Sequence, residues 1–277
     1  MRNLMRAFFY KLFKDWTFRI TLFIGLGLAV IMTLIYLAID RGFGSSELGE
    51  GVFCTGQNLL MTSISPAQNF GIAIPVNLVS FTVMEFNHGT IRNKIIAGNS
   101  KGKIYLSLLL SGLTFTFLLM LAYVGLCTGL ASIFGGFDIN GPAMSSILGA
   151  GNLTPDYFWK TIVLALLAYA LITCIAVFFA TLFRNIGPCI PIVILLILVA
   201  YFSAAIIGSM SSLPGMEQTA QVLRFVNPLY ALAAPNVVSE KLTITNQEFF
   251  IELGNTLVYA TIFVAAGFII FKKRDVK

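Results

Sequence analysis

Charge is what this sequence lacks most. Only 11% of its 277 residues are Asp, Glu, Lys or Arg. A soluble domain carries about a quarter, so most of this surface is not built to face water. Histidine occurs once, at His88, which leaves no Ser/His/Asp relay or histidine-based metal set to assemble, and neither HExxH nor GxSxG is present. The four cysteines (Cys54, Cys127, Cys174 and Cys189) show no CxxC or Cys/His spacing. They read as small buried hydrophobes rather than as a metal centre or a disulfide framework. A GxxxxGK[ST] phosphate loop is also missing, so no nucleotide site is expected in this chain. What is abundant is apolar: 57% of residues are hydrophobic, Phe occurs 25 times, and the mean hydropathy is +0.88. The composition is that of an all-α, polytopic membrane protein.

A helical span needs about 20 mostly apolar residues to cross about 30 Å of hydrocarbon. Six stretches qualify, at about 20–39, 65–84, 104–133, 161–183, 187–208 and 253–271, within a single transmembrane domain covering 1–277. The second contains Pro66, Asn69, Pro75 and Asn77, which predicts a kinked helix facing protein or water rather than lipid. Asn69 and Asn77 either line a polar pathway or tie helices together by hydrogen bonds. In the fifth, Pro188 and Pro191 fall in the first turns, where proline is best tolerated.

The basic residues fix an orientation. With both termini cytoplasmic, the inner segments hold Arg2, Arg6, Lys11, Lys14 and Arg19; Arg92, Lys94, Lys101 and Lys103; Arg184; and Lys272, Lys273, Arg274 and Lys277. That is fourteen of the 18 basic residues, against three of the 12 acids, Asp15, Glu85 and Asp275. This asymmetry follows the positive-inside rule. Nucleic acid is not implied, because the bases cluster beside apolar spans.

The segment 1–19 is too long and too basic to read as a cleavable signal. Leu4, Met5, Phe8, Phe9, Leu12, Phe13 and Trp16 recur at helical spacing, with Arg6, Lys11, Lys14 and Asp15 on the other face. This predicts an interfacial amphipathic helix in contact with membrane lipid. Outside, Phe134–Asp156 reads as a Gly-rich loop. The segment 209–247 is apolar enough to predict short re-entrant or interfacial helices before the last span.

The cytoplasmic loop 85–103 breaks the apolar pattern with "MEFNHGTIRNK". Thr90 is positioned to cap a helix start, Ile91, Ile95 and Ile96 mark one face, and Gly98 is a natural stop. A loop that only fixes topology and a helix that docks a cytoplasmic partner both fit these features. Topology needs only Lys and Arg, however, so Glu85, His88, Gly89 and Thr90 are surplus to it. His88 is either simply solvated or a pH sensor.

The stretch "EFNHGTIRNKIIAGNSKGKIYLSLLL" resembles the cytoplasmic loop of the type-2 family of ATP-binding-cassette export permeases, small bacterial members in particular. The match lies at Glu85, Gly89, Thr90, Arg92, Lys94 and Gly98. The six-span plan, the N-terminal helix and the outer "NPLY" (Asn227–Tyr230) resemble that family as well. The resemblance implies a coupling helix built from Glu85, His88, Gly89, Thr90, Ile91, Arg92 and Lys94, seated in a cleft of a separate ATPase subunit. It further implies two such ATPase subunits carrying the ATP and Mg, and a second permease copy or a related permease. The setting would be the bacterial plasma membrane. The importer-type coupling loop, which lies late in a chain, is missing, so export is favoured. Few fixed charges in the spans suit an amphipathic or hydrophobic cargo, such as an antimicrobial peptide or a drug-like molecule. The alternatives are a stand-alone channel or secondary transporter, for which no buried proton relay is visible, and an ATPase-linked sensor or immunity subunit that extracts peptide from the membrane.

Overall fold

The computed structural model describes residues 2–43, 53–66, 71, 73–140, 142–146, 149–152, 154–211, 213, 215–227 and 244–273. The long apolar runs form helices, as they must where no water is available to satisfy the backbone. In chain order these are α1 (Arg2–Lys14), α2 (Trp16–Phe43), α3 (Gly56–Ile64), α4 (Ala73–Asn87), α5 (Thr90–Ile96), α6 (Lys101–Gly135), α7 (Pro155–Phe183), α8 (Ile186–Ser211), α9 (Glu217–Val226) and α10 (Asn246–Lys273). Five of them are long and apolar enough to cross a membrane: α2, α6, α7, α8 and α10. The protein is a multi-pass membrane protein.

The second expected span, 65–84, is not one helix. Ser65 closes α3 in an extended conformation, and the next helix starts only at Ala73. Continuous helix would put Pro75 in its interior, where the ring clashes with the carbonyl four residues back and a hydrogen bond is lost. Starting at Ala73 places Pro75 in the first turn, where that cost vanishes. The other sharp difference lies in the segment expected to be a Gly-rich loop. There, Pro142–Ser146 (β1) and Gly149–Asn152 (β2) pair as an antiparallel hairpin, with Pro142 opposite Asn152. Within 209–247, α9 occupies Glu217–Val226, while 228–243 lie outside the described residues.

The core is built on α6 and α7, the most enclosed of the long helices. Several of its polar side chains bond locally: the Ser107 and Ser111 hydroxyls donate to carbonyls three residues back. Thr116 and Thr173 meet across the two helices at 2.8 Å. Gly267 of α10 gives Tyr105 room, since a Cβ there would fall 2.2 Å from the Tyr105 hydroxyl. Around this core, α2, α8 and α10 leave large apolar side chains exposed, among them Phe23, Phe202 and Ile262. That is the arrangement lipid accepts without cost.

The two ends of the bundle differ in chemistry. At one end, called here the basic end, α1 and α5 meet the close of α4. The Lys101 ammonium at the start of α6 reaches the Lys272 carbonyl near the close of α10. At the opposite end, the Gly56 N–H donates to Gly136 O at 2.9 Å and the Asp138 N–H to Gln57 Oε1. Lys160 there bridges Asp156 and the Ile244 carbonyl. The four cysteines are free and buried.

Candidate functional site

The break after Met84 becomes a compact corner at the basic end. α4 runs to Asn87; two residues later the chain turns through Gly89, whose φ of 65° is left-handed. That conformation favours glycine, because any Cβ crowds the following carbonyl. Gly89 rather than Thr90 therefore occupies the N-cap position, and no side chain caps the helix. Thr90 is the first helical residue and is half-buried. α5 ends as the sequence suggests: Gly98 has φ 84°, its N–H bonds to Ile95 O and the Asn99 N–H bonds to Lys94 O. These two bonds form a Schellman stop, which satisfies carbonyls the helix end would otherwise leave open.

Glu85 is the centre of this corner. It sits in the last turn of α4 at 0% exposure, with both oxygens engaged by cations from separate elements. The Lys11 ammonium from α1 lies 2.5 Å from Oε1, and the Lys94 ammonium from α5 lies 2.8 Å from Oε2. Lys94 also sits 3.2 Å from the ring centroid of Phe8, itself buried on α1. A buried carboxylate without partners is costly, so this one holds α1, α4 and α5 in a single register. Burial pushes the Lys94 ammonium below its usual pKa; the hydrogen bond and charge of Glu85 oppose that shift, and the neighbouring Lys11 adds to it.

The remaining sequence-derived candidates divide into two sets. Ile91, at 0% exposure, points into the core and anchors α5. His88 and Arg92 are exposed, as is Ile96 at 73%, so the outward face of the corner mixes an imidazole, a guanidinium and an apolar side chain. Asn77, on α4, accepts from the Thr21 hydroxyl of α2 at 2.9 Å and donates to Ala73 O; it ties two helices together. Asn69 lies outside the described residues.

A family model described as "Protein of unknown function (DUF2705)" matches residues 52–277. The chain belongs to the DUF2705 family. The match takes in Glu85 and Lys94 and begins after Phe8 and Lys11. No curated protein matches the chain.

Sequence reasoning missed Lys11, Phe8 and Arg184. Lys11 and Phe8 share a face of α1 at i, i+3 spacing, but nothing local says that a partner for them waits at Glu85. Arg184 lies over the Phe86 ring at 5.0 Å, and Phe86 meets Phe271 at 6.0 Å. The ends of α7 and α10 thus close on the residue beside Glu85. A displacement of α5 is felt at α4 and α1 through the two ion pairs of Glu85, and Phe86 on α4 meets α10 edge-to-face at Phe271.

Proposed function

We propose that this chain is the permease subunit of an ATP-driven exporter, with ATP hydrolysed on a separate polypeptide. The observation that carries this reading is the corner itself. A two-turn helix with an exposed Arg92 and Ile96 is locked by a buried carboxylate to a second short helix, at the end where the spans converge. A loop that served only to fix topology would need neither the burial of Glu85 nor its double pairing.

In this reading, α5 is the coupling helix and α1 its interfacial neighbour, and a cytoplasmic ATPase subunit seats on both. α3 and α4 together supply the sixth crossing, which places both termini on the cytoplasmic side of a bacterial plasma membrane. A second permease copy, or a related one, completes the pathway and brings a second ATPase. The scarcity of charge in the spans suits an amphipathic or hydrophobic cargo, a peptide or a drug-like molecule, better than an ion.

Co-expression with an ATP-binding-cassette ATPase subunit of the same organism tests the docking face. Wild-type protein co-purifies with it, and Ile96→Asp or Arg92→Glu, both at exposed positions, abolishes the association while leaving the permease monodisperse. Association that survives both substitutions refutes the docking face. ATP-dependent uptake of cargo into inverted vesicles separates export from mere extraction of peptide out of the membrane.

A further inference from the structure

Two adjoining cavities follow the seam between α2 and α4, and their chemistry changes in the order of a phospholipid. The first, about 360 Å³, lies at the basic end and is bordered by Lys11, Lys14, Trp16 and His88. Lys14 and His88 are exposed and Lys11 is 40% so; the acid bordering this cavity is Asp15, whose Oδ1 accepts the Thr17 N–H and hydroxyl at the start of α2. The second, about 610 Å³, begins one residue beyond Trp16. Its first turns carry Thr17, Thr21 and Asn77, and it then runs along Ile24, Leu28 and Ile31.

The cavities share one wall. On α4, Asn77 borders the inner cavity and Phe81 and Met84 the outer one, a 4-3 spacing that keeps the three on one face; His88, one residue past the helix end, continues that wall with its N–H bonded to Met84 O. On α2, the wall from Thr17 to Ile35 is about 27 Å long at 1.5 Å per residue. A chain entering at headgroup level therefore has groove beneath it past the bilayer midplane, about 15 Å in. Cation at the mouth, hydroxyl and amide beneath it, and branched aliphatics below repeat the sequence of phosphate, ester and acyl chain. A second transmembrane helix could pack on the small and hydrogen-bonding residues, but it would need an acid of its own at the mouth, which a lipid phosphate supplies. Interfacial Trp16 and Tyr10 beside the lysines mark the depth of the headgroups.

We propose that this seam holds one anionic phospholipid from the leaflet at the basic end, its phosphate against Lys14 and His88 and one acyl chain along the α2–α4 groove. The inference needs only that the chain is embedded in a membrane, and does not rest on the exporter reading. The bound lipid would cover a wall that the protein itself leaves open and would fix the angle at which α1 enters α2.

Trp16 makes the test direct. The sequence has two tryptophans, and the other, Trp159, lies at the opposite end, near the start of α7. Trp159→Phe protein is reconstituted in vesicles of phosphatidylcholine containing increasing fractions of brominated phosphatidylglycerol or brominated phosphatidylcholine, and Trp16 fluorescence is measured. The expected result is stronger quenching by the brominated anionic lipid at low mole fraction, with a preference of about five-fold, the scale that one basic residue produces at a membrane surface. Lys14→Glu should bring that preference close to unity. Ala73→Phe, which fills the groove wall, should reduce quenching by both lipids; Leu28→Phe does the same from α2 should the first variant not fold. Equal quenching by the two lipids in the parent protein, as for a bulk annulus, would overturn the proposal. So would quenching by both lipids that neither groove-filling variant reduces, which would assign the preference to the surface lysines alone.

Discussion

Glu85→Gln keeps the shape of the side chain and removes its charge, so it isolates the electrostatic part of the basic corner. Lys94, at 14% exposure, then keeps a neutral amide acceptor and the Phe8 ring at 3.2 Å but loses its counter-charge. Lys11 is 40% exposed and turns to water at little cost. Removing one partner of a buried ion pair costs roughly 3–5 kcal/mol. The aromatic face still offers the stranded ammonium about 1–2 kcal/mol, and Lys94 is not wholly enclosed, so the expected loss is about 3 kcal/mol, the low end of that range. The assay is unfolding by SDS in mixed micelles, followed by circular dichroism, with hydrogen exchange read across α1. Exchange in α1 should rise along with the loss of stability. Pairing Glu85→Gln with Lys94→Met removes both charges and should recover all but about 1 kcal/mol, since a buried pair can be replaced by apolar groups nearly neutrally. Glu85→Gln protein as stable as the parent, with α1 equally protected, would refute the role given to this carboxylate. A double variant that loses as much as the two single changes together would refute it too.

Three further outcomes follow from the packing. Gly135→Ala should be severely destabilising, because its Cβ would fall 2.1 Å from the Cys54 carbonyl oxygen, a backbone atom with no room to retreat, whereas a Cβ on Gly254 meets nothing within 4 Å; thermal denaturation of the two alanine variants checks the contrast. Thr173→Val deletes one side of the 2.8 Å hydroxyl pair with Thr116 and should cost about 0.6–1.7 kcal/mol, the span measured for polar contacts between membrane helices, in the same SDS titration. Burial lowers the pKa of Lys94 from 10.5, so within the window just below 10.5 the unfolded chain binds more protons than the folded one. Stability contributed by this group therefore rises as pH climbs through that window, and Lys94→Met should flatten the rise in a pH series of unfolding curves.

Much of this architecture was legible in the sequence, because charge and hydropathy act locally. The run 20–39 has no charge to stop it and lies within α2, and the cluster Arg92, Lys94, Lys101 and Lys103 gathers at one end with Lys272. Gly98 predicts its own left-handed turn. What escaped was whatever depends on distant partners or on competition between backbone options. A carboxylate before a basic loop reads as a surface residue until Lys11, 74 positions earlier, is seen to cover it. Thr90 looks like a cap, yet Gly89 takes the capping position because the corner requires a positive φ there. Apolar composition favoured one helix over 65–84, and the tie was broken by Pro75, which tolerates a first turn and not an interior. Asn77 had two readings in the sequence. Its amide is committed on both sides, to Thr21 and Ala73, which favours a role in holding α2 against α4.

The most direct test of the exporter reading is ATP turnover in vesicles that contain the chain and an ATPase subunit that co-purifies with it. The account predicts that ATP hydrolysis rises when the wild-type chain is present and that Ile96→Asp, on the exposed face of α5, abolishes the rise. Trp159→Phe, at the opposite end, should leave it intact. Hydrolysis that is indifferent to the chain, or a rise that Ile96→Asp does not alter, would contradict the claim that this corner is where the energy source attaches.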